Sequence, residues 1–178
     1  MVENEEEYTF VHPRVKLGLA GVYSTGLIED NNGDEISSAM AGIRGNIEMK
    51  IIPSLFIGAE GTYMSAVDQK TRLIHSIKRD SALLVLRGVI TPNTSSQIYF
   101  LTGIGQAVYR ASFKMPIDTL KHRSTVLMGG IGVSVPFVWR LYLAGEYRLT
   151  YDMSVWENFI LCGPKAREEY SLSVSCAF

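Results

Sequence analysis

The sequence of 178 residues predicts an all-β fold, namely an eight-stranded antiparallel up-and-down transmembrane β-barrel. Three observations lead to this prediction. Apolar and polar residues alternate with a period of two in eight segments of about 9 to 13 residues, the length of tilted membrane strands. Short and long connections alternate between these segments. Charged residues lie in the middle of several segments, opposite the aliphatic face.

The last segment shows the alternation most clearly. Tyr170, Leu172, Val174, Cys176 and Phe178 alternate there with three serines and an alanine. The other segments are traced in the same way, although the fourth, fifth and sixth are less regular. The predicted strands cover residues 14–23, 39–51, 55–64, 82–90, 97–109, 125–135, 141–150 and 170–178.

The connections between the predicted strands differ in length in a regular order. Three are short turns, around Pro53-Ser54, around 92–96 and around 136–140, and four are longer and polar. The long connections cover residues 25–35, 65–80, 111–123 and 152–168. Outer-membrane barrels have short periplasmic turns and long external loops. We therefore expect residues 13–178 to form the barrel and residues 1–12 to form a disordered periplasmic extension.

Composition narrows the classes of function. The formal net charge of −1 argues against a nucleic-acid-binding protein. No apolar run approaches the ~18 residues that a membrane helix needs. Cys162 and Cys176 are predicted to be free thiols, because Cys176 falls on a membrane-facing position. No signal peptide is recognised, since Met1 is followed by an acidic run, and we interpret the chain as a mature form with an added Met1.

The charged residues in mid-strand predict a charged lumen. Three carboxylates and three guanidiniums fall on the face opposite the aliphatic residues, and unpaired charges there would cost several kcal/mol each, so we expect them to pair. They are Arg44, Glu48, Glu60, Arg87, Glu146 and Arg148. The aliphatic face carries tyrosines near strand ends, as an interfacial aromatic belt would. These are Tyr23, Tyr63, Tyr99, Tyr109, Tyr147 and Tyr170. The alternative is a soluble, lipocalin-like ligand-binding barrel with an apolar lumen.

From about residue 13 to 178, the chain resembles the OmpA-type transmembrane domain and its small OmpX/Ail-like and Opa-like relatives. The resemblance rests on the strand and loop pattern, on Gly-aromatic segments such as 56–63, and on the terminal pattern. Tyr170, Leu172, Val174 and Phe178 match the C-terminal signal that the barrel-assembly machinery recognises, and Cys176 departs from it. The resemblance implies a lumen plugged by the charged network and the absence of a wide pore.

The long loops are the expected place of function, because a rigid scaffold presents them. A basic patch is predicted on the second and third loops, where it would attract the phosphates of lipopolysaccharide. Its residues are Lys70, Arg72, Lys78, Arg79, Lys121 and Arg123. We predict a structural or adhesin-like role, with host or envelope proteins as loop partners. No metal site is predicted, since the acidic stretch 30–34 lacks the spacing of a Ca²⁺ loop. No cofactor or nucleic-acid partner is predicted either.

An outer-membrane enzyme that modifies lipid A is a further alternative. His122-x-Ser124 resembles the His-x-Ser of the lipid A deacylase family. The chain departs from that family at Thr125-Val126, and Pro136 replaces the orienting Glu. A nucleophile and base without an orienting group make a poor triad, so we predict no catalytic residues and no enzymatic activity.

Overall fold

A computed structural model of the chain describes residues 14–30, 35–37, 39–66, 74–92, 94–113, 120–153, 161–162 and 166–178. Within these ranges no helix is long and apolar enough to cross a membrane. The strands are β1 (Val15–Thr25), β2 (Leu27–Asp30), β3 (Glu35–Ser37), β4 (Met40–Ile52), β5 (Leu55–Ala66), β6 (Ile74–Val89), β7 (Gln97–Phe113), β8 (Leu120–Val138), β9 (Leu141–Asp152), β10 (Leu161–Cys162) and β11 (Ala166–Ala177). The predictions for residues 1–12 and for the Cys162 side chain lie outside the described part of the chain, whereas Cys176 is a free thiol.

Eight of these strands close into an antiparallel barrel, in the order β1-β11-β9-β8-β7-β6-β5-β4, which confirms the predicted fold class. Each strand pairs with its neighbour along the chain, and β1 pairs with β11 to close the sheet. Pairing followed once around the barrel from Val15 returns to β1 at Thr25, a stagger of ten residues. This stagger tilts the strands by about 40° and keeps the lumen narrow.

The predicted alternation of short and long connections is present only in part. Residues 90–96 between β6 and β7, predicted as a short turn, number seven, as many as 67–73 between β5 and β6 and one more than 114–119 between β7 and β8. The two predicted long loops are shorter than expected because β6, β7 and β8 extend into them.

Two turns at one end consist of two residues each, Pro53-Ser54 and Trp139-Arg140. Trp139 has a positive φ of 44°, as does the first central residue of the favoured two-residue hairpin turns. At the other end, the connection from β1 to β4 contains β2 and β3, and the one from β9 to β11 contains β10. These three short strands pair into a second sheet. We call the two ends the turn end and the loop end.

The outer face of the barrel is apolar. Exposed aliphatic and aromatic residues cover it, including Leu19, Ile131 and Leu172 at 63%, 63% and 70% exposure. Over the middle of the described strands, none of the outward-facing residues is charged. A soluble barrel would present the opposite arrangement, so the lipocalin-like alternative is wrong. The outer surface matches the apolar band of a membrane-spanning barrel.

The inner face has two unlike halves. The charged residues lie on one side of the lumen, and a cluster of buried apolar side chains lies on the other, mainly on β6, β7 and β8. The cluster consists of Phe56, Leu83, Val85, Val89, Tyr99, Leu101, Ala107, Tyr109, Val126 and Met128. The prediction that Tyr99 and Tyr109 belong to the outer aromatic belt is therefore wrong. Both residues fall on the inward phase of β7, and the other four tyrosines do face outward.

Inward-facing glycines make room for the large side chains of the lumen. A Cβ atom at Gly132 would lie 2.5 Å from the ring of Tyr99, and one at Gly130 would lie 2.9 Å from the Arg148 side chain. Because these glycines leave the space empty, a ring or a guanidinium can lie flat against the neighbouring strand. The narrow lumen is thus filled by long side chains opposite short ones.

The apolar belt yields the first test. Ile131 lies in the middle of the belt, whereas Met153, with a similar exposure of 60%, lies beyond it at the loop end. Ile131→Arg should lower the free energy of unfolding in phospholipid vesicles by about 2–4 kcal/mol, because it brings a charge to the bilayer midplane. Met153→Arg should change it by less than about 1 kcal/mol. Unfolding titrations with guanidinium chloride measure both changes in free energy, and equal effects of the two substitutions would contradict this placement of the membrane.

Candidate functional site

The structure brings all six predicted lumen residues together inside the barrel. Arg44, Glu48, Glu60, Arg87, Glu146 and Arg148 are all buried, with exposures between 2% and 9%. They lie on inward positions of β4, β5, β6 and β9. Arg44 and Glu48 are four residues apart on β4, and Glu146 and Arg148 are two residues apart on β9. The period of two fixes this placement, because residues two apart point to the same face of a strand.

The middle of the lumen is built around Arg148. Its guanidinium donates to both carboxylate oxygens of Glu60 at 2.6 and 2.8 Å, and to Glu146 at 2.7 and 3.0 Å. Arg44 adds a second cation, at 3.3 Å from Glu146 and 3.8 Å from Glu60. A guanidinium has donors in a fixed plane and can therefore join carboxylates of different strands. These contacts connect β4, β5 and β9 across the lumen.

On the turn side of this layer, Glu146 and Glu48 share Arg87. The Arg87 guanidinium lies 2.7 Å from Glu48 and 3.4 Å from Glu146, and it lies over the ring of Tyr99 with 4.1 Å to the centroid. The Tyr99 hydroxyl donates to Glu146 at 2.9 Å. Glu146 thus contacts three guanidiniums and a phenol, which makes it the most connected carboxylate of the described lumen.

Lys16 closes the charged side of the lumen at the turn end. Its ammonium donates to Gln97 at 3.3 Å and lies 4.9 and 5.1 Å from the rings of Phe56 and Tyr142. Aromatic faces attract a cation, so this position stabilises a charge that has little contact with water. Lys16 is not one of the six predicted network residues, although its inward phase on β1 places it beside them.

A second group of charged residues extends the network to the loop end. Glu169 accepts hydrogen bonds from Arg44 and Arg79, both at 2.7 Å. Tyr109 donates to Asp152 at 2.6 Å, and the guanidiniums of Arg79 and Arg167 lie 5.8 and 5.5 Å from its ring. Arg79, Asp152 and Arg167 were not predicted in the lumen, because residues 65–80 and 152–168 were assigned to loops, and Glu169 fell between the last predicted loop and the last predicted strand. Continuing the period of two along β6, β9 and β11 would have placed them inside.

One small cavity lies among the charged side chains of the middle and turn-side layers. The cavity lined by Lys16, Asn46, Arg87, Glu146 and Ser173, among others, has a volume of about 10 Å³, which accommodates about one water molecule. The buried charges comprise six cations and five carboxylates among the described residues. In a medium of low polarity such a set is stable only when its members are paired, as most of them are.

The predicted loop patch divides into three parts. Lys78, Lys121 and Arg123 are exposed on the outer face of β6 and β8, near the loop end. Arg79 is not a loop residue: it is 1% exposed, because β6 begins eight residues earlier than predicted and directs Arg79 into the lumen. Lys70 and Arg72 lie outside the described residues.

His122 and Ser124 lie on β8 as strand residues rather than at an open site. Ser124 is 3% exposed, on an inward position opposite Ala107, and its hydroxyl donates to the Thr125 carbonyl at 3.1 Å. A lipid chain outside the barrel would contact the other face of this strand. Within the described ranges, no group of three or more His, Cys, Asp and Glu residues is arranged to hold a metal ion.

Comparison with known proteins identifies the fold. No protein-family model and no curated protein sequence matches the chain. Solved structures do match, among them neisserial surface protein A (TM-score 0.66, 17% identity, covering 92% of this chain and 97% of that one). Ail of Yersinia pestis also matches, with a TM-score of 0.56 and 12% identity over 94% of this chain and 99% of that one. The N-terminal β-barrel domain of Pseudomonas aeruginosa OprF matches with a TM-score of 0.55 and 12% identity over 92% of this chain and 97% of that one. The chain therefore has the fold of the eight-stranded outer-membrane barrels, over nearly its whole length.

The central position of Glu146 yields the second test. Glu146→Gln should lower the free energy of unfolding by about 3–5 kcal/mol, because three guanidiniums lose a buried partner charge. The matched control is Glu168→Gln, which changes an exposed carboxylate on β11 that accepts from the Tyr170 hydroxyl. It should cost less than about 0.5 kcal/mol. Both are measured by guanidinium unfolding in vesicles, and a Glu146→Gln variant as stable as the control would refute a paired network.

Proposed function

We propose that this chain is a bacterial outer-membrane barrel with a closed lumen, which conducts no solutes and acts at the cell surface through its loop end. The network of ion pairs carries the first part of the proposal. Charged side chains reach from Lys16 at the turn end to Arg79 and Glu169 at the loop end. The cavity beside Lys16, Arg87 and Glu146 has room for about one water molecule, so a solute would have to break several buried ion pairs in order to pass there.

The proposed role is non-catalytic. The buried, inward-facing Ser124 is not presented to the lipid on which a lipid A-modifying enzyme would act. The solved structures with this fold include surface and major outer-membrane proteins, among them neisserial surface protein A and a major outer-membrane protein of Thermus thermophilus. These names support a structural or binding role in the outer membrane.

The loop end supports the second part of the proposal. β6, β7 and β8 are longer than the other barrel strands, at 16, 17 and 19 residues, and β2, β3 and β10 add a second sheet. Such a platform presents loops rigidly, which favours binding. One protein of similar fold is named an attachment invasion locus protein and has been crystallised with a heparin analogue, sucrose octasulfate. An adhesin-like role for this chain is consistent with that name.

Assembly through the barrel-assembly machinery also belongs to the proposal. Tyr170, Leu172, Val174 and Phe178 are exposed on the outer face of the C-terminal segment, at 46%, 70%, 47% and 59%. The Phe178 amide donates to the Val15 carbonyl at 2.9 Å, so the terminal residue takes part in closing the barrel. A receptor that reads this segment would therefore contact the strand that joins the two ends of the sheet.

Conductance across a planar lipid bilayer tests the closed lumen. The folded protein should produce no steps of the size of a water-filled porin. The variant Glu60→Ala/Arg148→Ala removes a carboxylate and its bidentate partner together, so it should admit water and give measurable ion conductance. Heat-modifiable gel migration verifies that both proteins are folded. Porin-sized steps from the unchanged protein would disprove the closed lumen.

Attachment of whole cells tests the surface role. Bacteria that expose the protein should adhere to immobilised host matrix or epithelial cells several-fold more than bacteria that carry an empty vector. Sucrose octasulfate in the medium, chosen because a protein of similar fold has been crystallised with it, would compete if the ligand is a sulfated polysaccharide. Equal adhesion with and without the protein would rule out the adhesin-like role and leave the closed lumen unaffected.

A further inference from the structure

The outer wall of β6, β7 and β8 changes in character toward the loop end. The register places Leu84, Ile104 and Leu127 side by side in one row. Two residues further, Ala82, Gln106 and Thr125 form the next row, and above it lies a row of Asp80, Val108 and Arg123. The wall therefore passes from aliphatic to small and polar and then to charged residues within six positions. This order is that of a membrane–water boundary.

Above these rows, three basic residues lie directly opposite one another. Lys78 pairs in register with Arg110, and Arg110 pairs in register with Lys121. All three side chains are exposed on the outer face, as is Arg123 in the row below. We call these four residues the basic wall.

Like charges directly opposite each other destabilise a sheet, so a bound anion would stabilise this arrangement. One carboxylate, Asp80, lies 2.9 Å from Arg110. The other described outward positions in these rows, Val108 and the small and polar residues, carry no negative charge. Among the described residues of this wall, cations therefore outnumber carboxylates.

The height of the basic wall indicates the kind of anion. With a rise of about 3.3 Å per residue and a tilt of about 40°, Arg123 lies roughly 10 Å above Leu127 along the barrel axis, and Lys121 roughly 15 Å above it. Leu127 is the last outward-facing aliphatic residue of β8 before the polar rows. The cations therefore lie at and just above the headgroup region, which begins where the hydrocarbon ends.

We propose that Lys78, Arg110, Lys121 and Arg123 form a binding site for the phosphate groups of outer-leaflet lipopolysaccharide. The aliphatic rows below would lie against the acyl chains of the same molecule. The acyl chains and the phosphates would then contact adjoining rows of the same three strands. The opposite wall differs: Tyr23, Tyr170 and Glu168 lie at the same end there, and they offer no cation. The lipid would therefore bind on one side of the barrel. The site is independent of the lumen and of any loop ligand.

Titration with fluorescent lipopolysaccharide tests this site in the folded protein, held in zwitterionic detergent micelles. The variant Lys78→Gln/Lys121→Gln leaves the Arg110–Asp80 pair intact. Each basic residue near an anionic lipid surface contributes about fivefold in affinity, so the variant should bind roughly 30-fold more weakly. The dependence of binding on salt should also decrease.

The matched control is Arg14→Gln/Arg140→Gln, which removes two exposed cations at the turn end. It should bind as the unchanged protein does, and gel migration should show that both variants are folded. The unchanged protein should bind dephosphorylated lipopolysaccharide weakly. Equal binding by the two variants, or equal binding of phosphorylated and dephosphorylated lipid, would overturn the site. Full competition by inositol hexakisphosphate at equal concentration would overturn the assignment to a lipid.

Discussion

Every peptide group of a strand that crosses a lipid bilayer must form its hydrogen bonds within the protein, since the hydrocarbon offers no partner. A sheet meets this requirement only when it has no edge, and here β1 removes the edge by pairing with β11 over ten residue pairs. Closure with eight strands then fixes a narrow lumen. The remaining features follow, because a narrow lumen must be filled with side chains and the outer face must be apolar.

The way in which the lumen is filled explains why this barrel contains so many buried charges. Long side chains from opposite walls can meet in the centre, and a guanidinium that reaches two carboxylates holds three strands together. Glu146 receives Arg44, Arg87 and Arg148, which come from three different strands. The apolar half, around Leu83, Val85 and Leu101, excludes water from the other flank of the network. Ion pairs next to such a flank are poorly screened, so they are both strong and costly to break.

The sequence was sufficient to predict the barrel and its number of strands, because β1, β4, β5, β9 and β11 have one apolar and one polar face. Five of the six central charges lie on the polar faces of β4, β5 and β9, and the sixth, Arg87, interrupts the apolar residues of β6. The sequence was insufficient where both faces are apolar. On β7, Tyr99 and Leu101 face inward while Ile98 and Phe100 face outward, so hydrophobicity alone does not distinguish the two faces. The predicted ends of several strands were wrong for a related reason. Charged residues such as Arg79 and Arg167 are typical of loops, so the predicted strands stopped short of them although the period of two continues through both.

Strand pairing and ion pairing do not follow the same neighbours in this molecule. Arg44 of β4 binds Glu169 of β11 at 2.7 Å, although β1 lies between these two strands in the sheet. The contact therefore bridges the seam at which the first and last strands of the barrel meet. If the seam opened, Arg44 and Glu169 would lose this contact and keep their other partners, Glu146 for Arg44 and Arg79 for Glu169. Separation of the C-terminal strand from β1 therefore costs an ion pair in addition to the hydrogen bonds of closure.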